Sequence, residues 1–321
     1  MHREASRRRF PWMAPAAALA LLAGLHGAAL ARNAVEPLPV VEVAPGVHVH
    51  AGAQAEWKPA DGGDVSNAGF IVGGRCVAVI DTGGSPQVGE RLRAAVARVT
   101  PLPVCHVIST HVHPDHTMGH AAFAGLDPKP EFIAHARFPA AFAARAPFYL
   151  NAIERDTGAK PDPSIAVFPT MTVETSRVLD LGGRTITLKA WPTAHTDNDL
   201  TVLDDAPRTF FAGDLLFRGH LPVIDGSLRG WLKVMDEMKR LDVALVVPGH
   251  GEPGRDLPAL LAPQARYLEA LLSRTREAIR AGLTITQAVE RAGRDRQADW
   301  LLSDAFHRRN ATAAYAELEW E

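Results

Sequence analysis

The chain has 321 residues, 47% hydrophobic and 22% charged, with only 2 Cys and a formal net charge of −2. That length fits one large domain or a domain with an appendage, and the apolar fraction excludes a disordered chain. Two cysteines exclude a disulfide-framework miniprotein, and the slightly acidic balance argues against a nucleic-acid scaffold, which needs a basic face.

Residues 1–31 carry Arg3, Arg7, Arg8 and Arg9, a weakly apolar run from Met13 to Leu25, and Ala29-Leu30-Ala31. A basic start, a short apolar stretch and a small-x-small end predict a secretory signal peptide cleaved after Ala31, hence a periplasmic or secreted protein. Ser6-Arg7-Arg8-Arg9-Phe10 also resembles the twin-arginine export signal. Removing the signal leaves 30 basic against 35 acidic residues, a mature net charge of −5. The rest of the chain has no long apolar run, so stable membrane insertion is not expected.

From about Val40 the pattern is short strands joined by Gly-rich turns. Ala68–Val72 and Cys76–Ile80 flank Gly73-Gly74-Arg75, a hairpin signal, and the second run ends at Asp81. Gln87–Val99 has a helical period, and the strand Val104–Ile108 runs straight into Ser109-Thr110-His111. An oxidising compartment permits a Cys76–Cys105 bridge, but two small buried residues in separate strands is the plainer expectation.

The stretch 121–175 lacks crisp alternation and reads as an insertion or lid rather than sheet, with a helix over Ala140–Ile153 that Pro147 would kink or split. Strands are then expected at Val178–Leu181, Thr185–Ala190, Leu200–Leu203 and Thr209–Ala212, the last ending in Gly213-Asp214. A helix over Leu228–Leu241, with Ser227 as N-cap, precedes a strand Ala244–Val247 that ends in Pro248-Gly249-His250. Each half thus has hairpin strands, a strand ending in Asp, a helix and a strand ending in His. Two similar half-sheets meeting along one edge are expected. Gln264–Ala281 and Thr284–Trp320 read as helices, the last one with Asn310 as a candidate cap.

The informative stretch is Thr110-His111-Val112-His113-Pro114-Asp115-His116. In an extended segment His111 and His113 point the same way, about 7 Å apart, and Pro114 turns the chain so that Asp115 and His116 face the same pocket. His195, Asp214 and His250 stand at other strand ends and complete two ligand sets. Asp81 is a candidate to fix a ligand imidazole, and equally a turn residue. His220 is a candidate pocket residue, lying beyond the Asp214 strand with Arg218 and Asp225. His120 reads as a helix-start or supporting residue rather than a ligand, and Trp57 and Asn67 as pocket-wall or packing residues.

The order His-x-His-x-Asp-His, lone His, Gly-Asp, Gly-His resembles the metallo-β-lactamase-fold superfamily. The resemblance implies an α/β fold, a four-layer αββα sandwich over residues 38–262 with a C-terminal helical extension over 263–321. It implies that His111, His113 and His195 hold one metal, that Asp115, His116 and His250 hold a second, and that Asp214 bridges. His195-Thr196-Asp197-Asn198-Asp199-Leu200, Asp225-Gly226-Ser227-Leu228 and the tail from Asn310 to Glu319 are similar to exported zinc metallohydrolases associated with periplasmic quinoprotein-relay and sulfur-oxidation systems. The resemblance also implies a functional link to periplasmic quinoprotein dehydrogenases.

The chemistry so implied is that of a zinc hydrolase with two Zn2+, using a metal-bridging hydroxide on a small ester, thioester, lactone or amide, with Asp115 as ligand and proton relay. One alternative is β-lactam hydrolysis. Others are an iron-dependent redox enzyme, although diiron relatives usually carry an acidic residue where His113 stands and are normally joined to a flavin domain, and a non-catalytic periplasmic metal-binding partner.

Overall fold

The alternation of side chains along the strands builds two sheets, each apolar on both faces. The structure is a computed structural model that describes residue 2 and residues 35–293 and 299–321. The expected signal peptide therefore lies outside the described residues, His2 aside. In the first sheet, Val41–Ala44 (β1), Val47–His50 (β2), Ala68–Val72 (β3) and Val77–Ile80 (β4) pair antiparallel in sequence order. Val104–Ile108 (β5), Glu131–His135 (β6) and Met171–Val173 (β7) extend it in parallel. In the second, Ser176–Asp180 (β8), Thr185–Ala190 (β9), Leu200–Asp204 (β10) and Thr209–Phe217 (β11) are antiparallel, and Leu245–His250 (β12) lies parallel to β11.

Three apolar layers hold these sheets. Val77 and Val79 face Val88, Leu92 and Val96 of the helix Pro86–Val99 (α1), whose cap is Ser85. Ala78 and Ile80, on the opposite face of the same strand, meet Ile186, Leu188 and Val202 of the second sheet. The outer face of that sheet, through Phe210 and Val246, packs on the helices Leu228–Met238 (α5), Leu257–Arg280 (α6) and Ser303–Leu318 (α8). The order of layers is helix, sheet, sheet, helix. The helices between these are Pro114–Thr117 (α2), Ala121–Ala124 (α3), Phe138–Thr157 (α4) and Ile285–Ala292 (α7). No helix of the described residues is long and apolar enough to cross a membrane.

Several expectations need correction. The stretch 121–175 is not wholly an insertion, because β6 and β7 belong to the first sheet. β6 is buried along four of its five residues and β7 has only three residues, so neither shows the alternation of a half-solvated strand. Pro147 does not split its helix: α4 runs unbroken from Phe138 to Thr157, held by Phe138, Phe142 and Tyr149 against Val112 and Met118. Asn310 is no cap; it sits inside α8, fully buried.

Cys76 and Cys105 are not two separate thiols. They form a disulfide, because the parallel register that pairs Val77 with Val104 brings their Cα atoms to 5.7 Å. The bridge closes a loop with a sequence separation of 29, for which chain-entropy reasoning gives roughly 3–4 kcal/mol. Cys76→Ser is expected to lower unfolding stability in urea by about that amount. An unchanged midpoint would show that the sheet alone constrains the two strands.

Candidate metal centre

The site lies where the strands of both sheets end. β4 delivers Asp81, β5 runs into the 109–113 loop that carries His111 and His113, and the short α2 carries Asp115 and His116. From the second sheet come His195, in the loop between β9 and β10, Asp214 within β11, and His250 at the end of β12. Sequence placed Asp214 just past its strand; the strand continues to Phe217, with Gly213 at φ 52° supplying a backbone geometry that L side chains avoid.

The structure brings all seven expected ligand residues together. His111, His113, His195 and Asp214 form one group and Asp115, His116 and His250 a second, with the candidate ligand atoms of each group within 4.8 Å of one another. Nδ1 of His113 lies 3.1 Å from Nε2 of both His111 and His195. Oδ2 of Asp115 lies 3.4 Å from His116 Nε2 and 3.3 Å from His250 Nε2. Asp214 reaches both groups: its Oδ2 is 3.4 Å from His195 Nε2 and 3.4 Å from His250 Nε2, and its Oδ1 is 3.2 Å from His116 Nε2. Gly249 is required here, since a Cβ at that position would sit 1.8 Å from Asp214 Oδ1.

Each ring is held by its other nitrogen. His116 Nδ1 donates to Asp81 Oδ2 at 2.8 Å, His195 Nδ1 to the Val223 carbonyl at 2.7 Å and His250 Nδ1 to the Val65 carbonyl at 2.9 Å. His111 Nδ1 donates to Thr110 Oγ1, whose hydroxyl in turn donates to Asp81. Asp81 thus fixes two imidazoles at once; it stands at φ 53°, a strained conformation for a non-glycine residue, held by the groups it binds. His113 is reversed: its Nε2 donates to Asp225 Oδ2 at 2.9 Å, leaving Nδ1 to face the group.

This donor set fits two cations. Nitrogen lone pairs aimed at one another at such distances are repulsive unless a proton or a cation lies between them, and the outward nitrogens are already committed. His116 Nε2 and Asp214 Oδ1, buried and 3.2 Å apart, face each other without an aligned hydrogen bond and have no other hydrogen-bond partner among the described residues. Imidazoles and carboxylates without thiolate suit zinc and iron alike.

The electrostatics say the same. Burial pushes the Asp214 carboxyl up, but His250, His116 and His111 hold it well below the usual carboxylate range; burial likewise raises Asp115, and His116 and His250 more than reverse it. Conversely, burial lowers His250, but Asp214 and Asp115 raise it to about 9. His111 and His195 go the other way: burial holds His111 well below the ordinary imidazole range and His195 at about 4. A cation can take Nε2 of His250 only after its proton leaves, so metal binding at pH 7 is expected to release at least one proton per chain, and affinity is expected to fall as pH drops below about 9. Titration calorimetry in two buffers of different ionisation enthalpy measures this; equal heats would contradict it.

Five of the seven residues floor a cavity of about 400 Å³ walled by Trp57, Tyr149, Phe148, Phe306 and His220. A larger cavity of about 660 Å³ among α6, α7 and α8 is bounded by none of the seven, so the smaller one carries the chemistry. His220 lines the smaller cavity, its ring 4.5 Å from that of His250 and its Nε2 without a hydrogen-bond partner among the described residues. His120 does not join the cluster; its Nε2 pairs with Ser109 Oγ at 3.2 Å. Asn67 supports the His250 loop by donating to the Pro248 and Gly251 carbonyls. Sequence reasoning missed Tyr149 and Arg145, which α4 projects into the cavity, and treated Asp225 only as a neighbour of His220.

The metallo-beta-lactamase superfamily model matches residues 61–250, more than half of the chain and the whole of the cluster. The chain belongs to the metallo-beta-lactamase superfamily. Among curated proteins it is similar to a coenzyme F420H(2) oxidase of Methanothermobacter marburgensis, 29% identical over 192 residues, spanning 58% of this chain and 43% of that protein. Among solved structures, a beta-lactamase domain protein from Burkholderia ambifaria matches with TM-score 0.65 and 20% identity over 88% of this chain and 87% of the other. The sec-alkylsulfatase Pisa1 from Pseudomonas sp. matches with TM-score 0.66 and 15% identity over 88% of this chain and 50% of its own. The chain therefore spans about half or less of the oxidase and the alkylsulfatase, and the two structural likenesses show a shared fold.

Proposed function

We propose that the chain is an exported dinuclear zinc hydrolase acting on a small ester, thioester, lactone or amide. The observation that carries this reading is the floor of the cavity: two ligand groups joined by Asp214, with Asp115 the more exposed of the two buried carboxylates, opening on a space of small-acyl size. Export is supported by the character of residues 1–31 and by the Cys76–Cys105 disulfide, which belongs to oxidising compartments. A role beside periplasmic quinoprotein systems is part of the same proposal.

Two bound divalent cations supply a Lewis acid for a substrate carbonyl and a water acidic enough to attack near neutral pH. The chain's own residues do the rest. Asp115, at the cavity floor, accepts a proton on its carboxylate and returns it to the leaving group. Tyr149 is 5% exposed, and its hydroxyl makes no hydrogen bond among the described residues. Burial pushes its phenol up, so it stays a donor for a substrate oxygen. Trp57 and Phe306 give the acyl portion apolar walls, with the exposed Phe148 ring beside them.

The oxidase relative favours a second reading, iron-dependent redox chemistry on the same cluster. A panel of esters, thioesters, lactones, amides, an alkyl sulfate and a chromogenic cephalosporin, offered to the zinc-loaded protein, separates these. Hydrolysis of at least one acyl substrate, lost in His113→Ala, is expected; background rates throughout, or equal rates in the variant, would overturn the hydrolase reading. Background turnover of the cephalosporin alone would remove β-lactams.

A further inference from the structure

The C-terminal helix α8 reaches the metal cluster through one loop. The segment 222–227 between β11 and α5 touches two of the three histidines of the first group. The Val223 carbonyl accepts from His195 Nδ1 at 2.7 Å, and Asp225 Oδ2 accepts from His113 Nε2 at 2.9 Å. The Asp225 amide donates to the His195 carbonyl at 3.0 Å, so the loop tracks the backbone of that ligand as well as its ring. Arg145 of α4 donates to the same Asp225 oxygen at 3.0 Å and holds the carboxylate from the other side.

This segment has no regular structure of its own, and α8 fixes it at both ends. Asn310 Oδ1 accepts from the Ile224 amide at 2.9 Å, and its Nδ2 donates to the Pro222 carbonyl at 2.6 Å and to the Tyr267 hydroxyl at 2.9 Å. A fully buried amide in the middle of a helix, with its oxygen and both of its N–H groups engaged outside that helix, is costly unless every bond is made. Two turns on, the Glu317 carboxylate accepts from Ser227 Oγ at 2.7 Å and from the Leu228 and Arg229 amides at 2.6 and 3.2 Å. It thereby anchors the start of α5, where the loop ends. Asn310 and Glu317, seven residues apart, occupy one face of α8.

We propose that Asn310 and Glu317 are positioning residues for the three-histidine group: they set the 222–227 loop, and the loop sets the rings of His113 and His195. The second group is held by other elements. Asp81 orients His116, the Val65 carbonyl orients His250, and Asn67 ties down the loop around His250. Loss of the α8 contacts therefore weakens one metal position and spares the other. The inference does not depend on which reaction the cluster catalyses.

The test is Zn2+ titration of the metal-stripped full chain by chelator competition, which yields two affinities; His113→Ala and His250→Ala identify which belongs to which group. Asn310→Ala and Glu317→Ala are expected to weaken the affinity that His113→Ala abolishes by about 10–100-fold, the range seen when an outer partner of a ligand is lost, and to leave the other within about threefold. Glu317→Gln, which keeps an acceptor oxygen, is expected to recover part of the loss. Leu318→Ala removes a buried apolar side chain of α8 and none of its hydrogen bonds to the loop, and is expected to lower the melting temperature with both affinities intact. Equal weakening of both positions, no change in either, or the same selective loss in Leu318→Ala would overturn the proposal. If Asn310→Ala does not fold, the partly exposed Glu317 variants carry the test alone.

Discussion

Asp214→Ala is expected to empty both halves of the cluster, where loss of any one histidine empties one. Among the described residues its carboxylate alone lies within 3.4 Å of nitrogens from both ligand sets. Affinity at both positions is expected to fall well beyond the about 10–100-fold that an outer partner commands. The metal-stripped variant should also unfold at lower urea, because the raised imidazoles of His116 and His250 lose one of their carboxylate partners, Asp115 remaining beside both. Elemental analysis together with urea unfolding checks both parts. Retention of one full equivalent of metal would show that Asp214 belongs to one group only.

Asp115→Asn has the second large effect, and of a different kind. Asparagine keeps an oxygen where the Asp115 carboxylate faces His116 and His250, but it cannot take up a proton. Hydrolysis of whichever panel substrate is turned over is expected to drop by about 10²–10⁴ in kcat, with both metals still bound. Steady-state kinetics on protein of measured metal content decides it. A rate that tracks metal content alone would assign Asp115 a holding role and no part in proton transfer.

The convergence of these side chains was legible in the sequence because their spacing has a local cause. A strand that ends at Ile108 must deliver the next few residues to the sheet edge, so His111, His113, Asp115 and His116 arrive together, and the same reasoning applies to Asp214 and His250. Two half-sheets were legible in the repeated order of hairpin strands, a strand ending in Asp, a helix and a strand ending in His; the four layers came with the superfamily resemblance, and runs such as Val77–Ile80, buried throughout, have that cover on both faces. Long-range contacts escaped. Asp225 holds His113 from 112 positions away, and Asn310 holds the Pro222–Ile224 segment from 86 and 88 away. Neither separation leaves a periodic trace. Asn310 resembled a cap because asparagine is poor in helix interiors; tertiary hydrogen bonds overrode that propensity. Tyr149 and Arg145 were hidden in an Ala/Phe/Pro-rich stretch whose helix continues across Pro147, so the face it turns to the cavity could not be read.

The disulfide shows the same division. The sequence placed Cys76 and Cys105 in separate strand-like runs, but pairing depends on register, and register between parallel strands is set by the whole sheet.

The most direct measurement of the central claim is the metal content of the full chain purified without added metal, by elemental mass spectrometry against protein concentration from amino-acid analysis. The expected result is two zinc ions per chain, falling to one or fewer in His113→Ala and in His250→Ala. Iron in place of zinc, or a wild-type chain that never holds more than one ion, would contradict it.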